Sequence, residues 1–162
     1  MRNKLLLALV VALCLALLPS CGTDEIDISA YSDQQILLVG LTDKDKEEAV
    51  TVRQLKEMEC STKKTKSTSD KIGTVKATGP WLSTVLEAYG HKQTDFSKIK
   101  IYGKDGYDIS LNKDFLQENQ VMLAFGIDGE PLDEESKPVR IIIPESDSAY
   151  WIRMVNKIEF EK

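Results

Sequence analysis

Short runs of apolar residues, many of them alternating with polar ones, divide the chain beyond position 35 into a series of predicted β-strands. Residues 121–127 and 139–143 are apolar on both faces and therefore predict buried strands. The residues on either side of 104–106 alternate with a period of two, which predicts a β-hairpin. Further strands are predicted at 36–39, at 50–52 and at 151–160, the last with a bulge at 156–157.

Helix signals are fewer and shorter. Thr51 followed by Gln54 resembles a capping box, and Asn112 is a suitable cap for a second short helix. Another helix is predicted to begin at 79–80 and end at Gly90, from apolar residues at helical spacing: Leu82, Val85, Leu86 and Tyr89. Because strands and helices do not alternate regularly, the sequence predicts an α+β domain. We expect it to be mainly β, with a mixed or antiparallel sheet and two or three short helices.

The first 20 residues have the features of an export leader. Arg2 and Lys4 precede an apolar run over residues 5–18, which is shorter than the ~20 residues that a spanning helix needs. The sequence Leu18-Pro19-Ser20-Cys21 then resembles a bacterial lipobox, in which a small residue precedes a lipidated cysteine. An ordinary secretory signal cleaved near Ser20 is the alternative.

This leader predicts the organisation of the whole chain. We expect residues 1–20 to be a lipoprotein signal peptide, residues 21–34 to be a flexible tether, and residues 35–162 to be one globular domain. Acylation of Cys21 would anchor the protein to the extracytoplasmic face of the cell membrane.

Charge and motif content exclude several function classes. The chain has a formal net charge of −5, and its leader carries only basic charges, so the mature protein is more acidic still. This composition disfavours nucleic acid as a partner. No zinc, dinucleotide or P-loop motif occurs after the leader. The acidic residues within 128–135 lack EF-hand spacing, so we interpret them as a solvated turn and not as a calcium site.

A few side chains remain as candidates for chemistry. Once Cys14 leaves with the leader and Cys21 carries lipid, Cys60 is the remaining thiol and has no partner for an internal disulfide. It opens residues 60–68, which are rich in Ser, Thr and Lys and predict either an edge strand or a mobile loop. Arg140 and Arg153 interrupt apolar strands, so each either contacts an anion or pairs with a carboxylate on a solvent face.

Three aromatic residues and one histidine have alternative interpretations. Trp81, Tyr150 and Trp151 either line a pocket or pack in the core or at its rim. His91 follows the helix stop at Gly90, where a solvent-exposed cation favoured by the helix dipole is expected.

Five segments in order resemble a known family, the molybdopterin-binding oxidoreductase domain with the fold of the sulfite oxidase catalytic core. They are GPWLSTVLEAYG, KDGYDISL, VMLAFGIDGEPL, PVRIIIP and YWIRMVNKIEF, and the resemblance covers about residues 35–160. In catalytic members a cysteine after the first short helix binds molybdenum, and Cys60 lies in the corresponding interval. The resemblance therefore implies Cys60 as metal ligand, and Arg140 and Arg153 as anion contacts of the cofactor.

The chain also departs from the catalytic members. They follow their cysteine with a stretch rich in Gly, Asn and Arg, whereas here Ser-Thr-Lys-Lys follows Cys60. Residues 145–148 add two negative charges where a glycine-rich turn is usual, and the leader lacks the twin-arginine pair that suits export of a cofactor-loaded domain. We therefore expect a lipid-anchored domain that binds a small ligand or a protein partner without redox turnover and without a cofactor. The alternative is a molybdenum-cofactor-dependent oxidoreductase, or its cofactor-bearing subunit.

Overall fold

The computed structural model describes residues 25–41, 47–69 and 72–162. Within these residues the chain forms eleven strands and three α-helices, an α+β fold that is mostly sheet, as the sequence predicts. The strands are β1 (Gln35–Val39), β2 (Glu47–Thr51), β3 (Cys60–Lys66), β4 (Thr74–Pro80), β5 (Lys98–Gly103), β6 (Asp108–Asn112), β7 (Met122–Ala124), β8 (Gly126–Ile127), β9 (Glu130–Pro131), β10 (Arg140–Ile142) and β11 (Val155–Glu161). The α-helices are α1 (Val52–Glu57), α2 (Leu82–Ala88) and α3 (Lys113–Glu118).

Two larger sheets and one strand pair enclose the core. The five-stranded sheet has the order β2-β1-β11-β5-β6, in which β1 and β11 run parallel and the other neighbours run antiparallel. The four-stranded sheet has the order β3-β4-β8-β9, and β10 pairs with β7. An isolated bridge between Trp81 and Met122 connects β7 to the end of β4. Of the mixed or antiparallel sheet expected from the sequence, the mixed form is therefore present.

Local signals in the sequence place several elements correctly. Thr51 and Gln54 form the predicted capping box at the start of α1, and the Asn112 side chain accepts from the backbone N–H of Phe115 at the start of α3. The β5–β6 hairpin turns at the predicted 104–106, where Gly106 has a φ of +85°. In β11 the register shifts between Val155 and Lys157, as the predicted bulge requires.

The segment before β1 differs from the flexible tether predicted for residues 21–34. Ile26, Ile28 and Tyr31 are each at most 6% exposed, so residues 25–33, here called the N-terminal strap, belong to the packed domain. The Tyr31 hydroxyl donates to the Phe125 carbonyl and accepts from the Leu132 N–H. The strap was missed because its Asp and Ser residues dominate its average composition, while its apolar residues point inward. The predicted leader and Cys21 lie outside the described residues.

Two other elements differ in their bounds. Pro80 ends β4 and does not open the following helix, for which Trp81 is the N-cap residue. The strand predicted over 121–127 is interrupted at Phe125, so that β7 pairs with β10 while β8 pairs with β4 and β9. A buried apolar run predicts burial but does not predict the point at which a chain changes its partner strand. Among the described residues, no helix is long and apolar enough to cross a membrane.

Candidate functional site

Cys60 is the first residue of β3, and its thiol is directed at the end of α1. The Cys60 Sγ lies 3.4 Å from the Leu55 carbonyl oxygen and 3.8 Å from that of Lys56, and it donates to both. These carbonyls belong to the last turn of a helix, the end that carries partial negative charge. The side chain is half-buried and packs against the apolar core. Its position therefore favours the neutral thiol.

The pKa of Cys60 reflects this environment. Burial raises it from 9.0 to about 11, and the nearby Lys56 ammonium only partly offsets the effect. At neutral pH the thiol is protonated, whereas the metal ligand and the nucleophile are both the thiolate. A cysteine prepared for metal binding usually has its pKa lowered by positive charge or a helix N-terminus, which is the opposite of the arrangement around Cys60.

Arg140 is half-buried on β10 and has a donor without a partner. Its Nε atom is buried and forms no hydrogen bond. Burial lowers the pKa of this guanidinium and the positive charge of Arg153 lowers it further, while Asp133 acts in the opposite direction. An unsatisfied donor on a desolvated cation is costly, so the side chain has capacity for an additional acceptor.

The backbone segment that carries Arg153 runs beside β10, which carries Arg140. The Ile141 N–H donates to the Ile152 carbonyl at 2.7 Å, and the Val155 N–H donates to the Val139 carbonyl at 2.9 Å. These bonds align the segment before β11 with β10. Arg153 is exposed and forms an ion pair with Glu135 at 3.2 Å. The structure therefore brings the two predicted arginines together, and each also has a carboxylate nearby.

Strand order separates Cys60 from this arginine pair. Cys60 opens β3, which pairs with β4, whereas Arg140 opens β10, which pairs with β7. The Trp81–Met122 bridge joins β7 to the end of β4, so β4 and β7 lie between the strands of the two residues. Neither arginine is among the charges that act on the Cys60 thiol. The three predicted residues do not converge on one site.

Residues 144–147, here called the 144–147 loop, contact the far end of β3. The Thr68 N–H donates to the Ser146 carbonyl at 2.9 Å, and the Glu145 N–H donates to the Thr65 hydroxyl at 3.3 Å. Glu145 has a φ of +59°, in the left-handed region that favours glycine. The backbone at Glu145 thus has a conformation typical of glycine, but Glu145 carries an exposed carboxylate side chain. The loop is fixed to this chain's own strand.

The aromatic candidates have packing roles. Trp151 is 4% exposed, and its indole N–H donates to the Ile143 carbonyl at 2.8 Å. The Trp81 indole donates to the Ser61 hydroxyl at 3.1 Å and joins β3 to the start of α2. Tyr150 stacks on Phe115 with ring centroids 4.8 Å apart. These contacts match the prediction of core or rim packing.

His91 and the acidic turn offer no metal site within the described residues. His91 is only partly exposed, packs edge-on against Phe96 and lies 3.7 Å from an Asp95 carboxylate oxygen, so its ring is less exposed to solvent than the sequence predicts. No group of three or more His, Cys, Asp or Glu side chains in 25–41, 47–69 and 72–162 is arranged to hold a metal ion.

Comparison with known proteins places this fold. A family model described as the oxidoreductase molybdopterin binding domain matches residues 41–162. The chain belongs to this molybdopterin-binding family. A search of curated protein sequences gave no significant match.

Solved structures show the same fold. One of them is the sulfane dehydrogenase SoxCD from Paracoccus pantotrophus, with a TM-score of 0.66 and 20% sequence identity over 80% of this chain. The match covers 38% of that chain, so this protein corresponds to well under half of its length. At this identity the likeness shows a shared fold.

The residues of this member do not fit a molybdenum cofactor held through Cys60. A molybdenum ligand must be a thiolate facing the cofactor, but this thiol is neutral and donates to two helix carbonyls. The unsatisfied Arg140 Nε does fit an anionic group. However, it lies on β10, which β4 and β7 separate from the Cys60 strand β3. The family as a whole is defined by molybdopterin binding, so its match gives no support to the expectation that no cofactor binds.

Proposed function

We propose that this protein is a lipid-anchored, extracytoplasmic member of the molybdopterin-binding family that binds a small ligand or a protein partner without redox turnover. The observation that carries this proposal is the Cys60 thiol, which is directed at the carbonyl end of α1. A fold alone does not determine function, so the assignment depends on the chemistry at this residue.

Redox turnover at molybdenum would require Cys60 to change both its protonation and its direction. The thiol would have to lose a proton that burial retains up to a pKa of about 11. It would also have to leave the Leu55 and Lys56 carbonyls at the end of α1. No described cation near Cys60 other than Lys56 contributes to lowering its pKa. These costs favour a binding role.

The second candidate function is that of a molybdenum-cofactor-dependent oxidoreductase or its cofactor-bearing subunit. Family membership and the unsatisfied Arg140 Nε favour it, because a buried guanidinium without an acceptor suits a phosphate or another anion. Arg153 would add a second positive charge. The carboxylates of Asp133 and Glu135 already balance part of this charge, which weakens attraction for an anion.

Molybdenum analysis separates the two candidates. We expect the full chain, produced in a bacterial host that makes the cofactor, to contain molybdenum only at background level by mass spectrometry. Cys60→Ser should give the same value, since a serine hydroxyl can donate to the same two carbonyls and preserve the fold. Stoichiometric molybdenum that is lost in Cys60→Ser would contradict the proposal. Molybdenum that survives in Cys60→Ser but is lost in Arg140→Gln would also contradict it and would place the cofactor at the arginines.

Membrane anchoring is tested at Cys21. We expect Cys21→Ser to move the protein from the membrane fraction to the soluble fraction and to abolish incorporation of labelled palmitate, because this sulfur is the proposed attachment atom. Cys60→Ser is the matched control and should remain in the membrane fraction with its label. If Cys21→Ser stays with the membrane as the unaltered protein does, the lipid anchor is wrong.

A further inference from the structure

β3 is an outer strand of the four-stranded sheet, with β4 as its neighbour. It contains seven residues and pairs with β4 along its whole length, from Cys60 opposite Pro80 to Lys66 opposite Thr74. The other edge of the same sheet is β9, which has two residues and ends in a proline. Proline cannot donate to an added strand, so β9 is closed to extension. The long edge of the sheet is therefore β3.

Alternation along β4 identifies the backbone groups that β3 presents outward. The Lys76 carbonyl accepts from the Asp128 N–H at 2.7 Å, and the Thr78 carbonyl accepts from the Phe125 N–H at 2.9 Å. The backbone N–H and C=O groups of even-numbered β4 residues thus point toward β7 and β8. Those of the odd-numbered residues point toward β3. Their partners Ser61, Lys63 and Thr65 hydrogen-bond to β4. The N–H and C=O groups of Thr62 and Lys64 consequently point away from the sheet.

Only one end of this edge is covered by the described part of the chain. The 144–147 loop binds Thr65 through a side-chain contact and Thr68 through a backbone hydrogen bond. Before that point, no hydrogen bond between described residues uses the outward backbone groups of Thr62 or Lys64. An extended segment of a few residues can therefore pair with β3 along 61–64.

The charge of this edge is opposite to that of the molecule. Residues 60–69 contain three lysines and no acidic residue, whereas the chain as a whole has a net charge of −5. The lysines are Lys63, Lys64 and Lys66, all exposed. None of the three takes part in the ion pairs between described residues. Unpaired lysines on an edge strand repel a second copy of the same edge. The same charge attracts an acidic strand, because opposite charges across a strand pair are stabilising.

We propose that β3 is the docking site for an extended, acidic segment of a partner protein, which adds to the sheet as a further strand beside residues 61–64. Backbone hydrogen bonds to Thr62 and Lys64 supply the strand pairing, and Lys63 and Lys64 select for carboxylates on either face of the added strand. The proposal specifies the partner left open in the proposed function and rests on that binding role. The two fail separately, since molybdenum content does not report on the β3 edge.

The test uses synthetic peptides and the full chain in non-ionic detergent. The acidic probe is a peptide of about seven residues in which Glu alternates with Val and Thr, and the neutral probe carries Gln in place of Glu. In NMR titrations we expect the acidic probe to shift the amide resonances of Thr62 and Lys64, and to bind at least about tenfold more tightly than the neutral one. No shift with either probe, or equal affinity for both, would overturn the proposal.

Variants separate strand pairing from general charge attraction. Lys64→Pro removes an outward N–H without removing a bond to β4, so we expect it to abolish binding. An acidic peptide that is N-methylated at alternate positions should also fail to bind, which keeps the test decisive if Lys64→Pro does not fold. Lys63→Glu with Lys64→Glu should weaken binding at least about tenfold, whereas the exposed Lys113→Glu on α3 should not. Full binding of the N-methylated peptide, or of a folded Lys64→Pro protein, would overturn strand addition.

Two other occupants are distinguished in parallel. Sedimentation would reveal a dimer that Lys64→Pro dissociates, and that result would assign the edge to a second copy of the chain. Flotation with phosphatidylglycerol vesicles, compared with phosphatidylcholine vesicles, would reveal attraction to an anionic lipid surface through Lys63 and Lys64. Either result in place of peptide binding would replace the proposed partner. We expect a monomer and no difference between the two kinds of vesicle.

Discussion

A variant that begins at Gln35 is expected to lose most of its folding stability, because the N-terminal strap contributes three buried side chains to the core. Truncating one large core residue typically costs about 2–5 kcal/mol, and whole domains are stable by only about 5–15 kcal/mol. The shortened chain would also leave the Phe125 carbonyl and the Leu132 N–H without the Tyr31 hydroxyl, which contacts them at 2.5 and 3.2 Å. Urea denaturation followed by circular dichroism measures the loss.

The matched control is a variant that begins at Glu25, which keeps the whole strap and removes only the preceding residues. We expect it to unfold cooperatively at a clearly higher urea concentration than the variant that begins at Gln35. If the two midpoints coincide, residues 25–34 are a tether after all and the strap adds nothing to stability. Ile26→Ala in the full chain provides an independent check, with an expected cost of about 2–5 kcal/mol.

Replacement of Gly79 by alanine is the second change with a large expected effect. A Cβ at this position would lie 2.1 Å from the Leu123 carbonyl oxygen and 2.9 Å from the Ala124 Cα. Both contacts are with backbone, so relief requires β4 and β7 to separate. We expect a loss of at least about 3 kcal/mol, at the upper end of the usual range for overpacking. Thermal unfolding of the purified protein measures it.

Gly73 is the control for this substitution because a Cβ there meets nothing within 4 Å. Gly73→Ala should change the free energy of unfolding by no more than about 0.5 kcal/mol. A Gly79→Ala protein as stable as Gly73→Ala would mean that β4 and β7 do not approach each other as closely as described.

Local patterns predicted most of the secondary structure because they act over a few residues. The capping box at Thr51, the Asn112 cap and the β5–β6 turn all depend on side chains that contact their own neighbours in sequence. The α+β class followed from the number and spacing of these short elements, and it is confirmed by the structure and the family match.

The sequence was a weaker guide in two kinds of segment. One is a strand that changes its partner strand, and the other is a mostly polar segment that buries only a few of its side chains. The strap has a polar composition overall, but Ile26 and Ile28 face inward because alternate residues of an extended chain point to opposite sides. The only signal available in the sequence was this short alternation next to Tyr31. The interruption at Phe125 had no local signal, since it reflects which strands lie on either side.

In the candidate site, too, the sequence identifies the residues, and the tertiary structure sets their directions and contacts. Sequence position identified Cys60, Arg140 and Arg153 as chemically unusual residues, and the structure brings only the two arginines together. The direction of the Cys60 thiol depends on where α1 ends and on the face of β3 that the residue occupies. The charge of residues 60–69 was plain in the sequence, but the outward direction of the Thr62 and Lys64 backbone depends on the pairing of β4 with its other neighbours.

The sequence by itself determined the fold class, the caps and turns, the resemblance to the molybdopterin-binding family, and the identity of the residues able to carry chemistry. These properties follow from residue type and from spacing along the chain. Only the tertiary structure decided that the strap belongs to the core, that the Cys60 thiol meets helix carbonyls and that the lysine-rich β3 is an outer strand of its sheet. Each of these depends on contacts between segments distant in sequence, where burial, register and neighbouring charge, rather than residue identity, set the properties of a group.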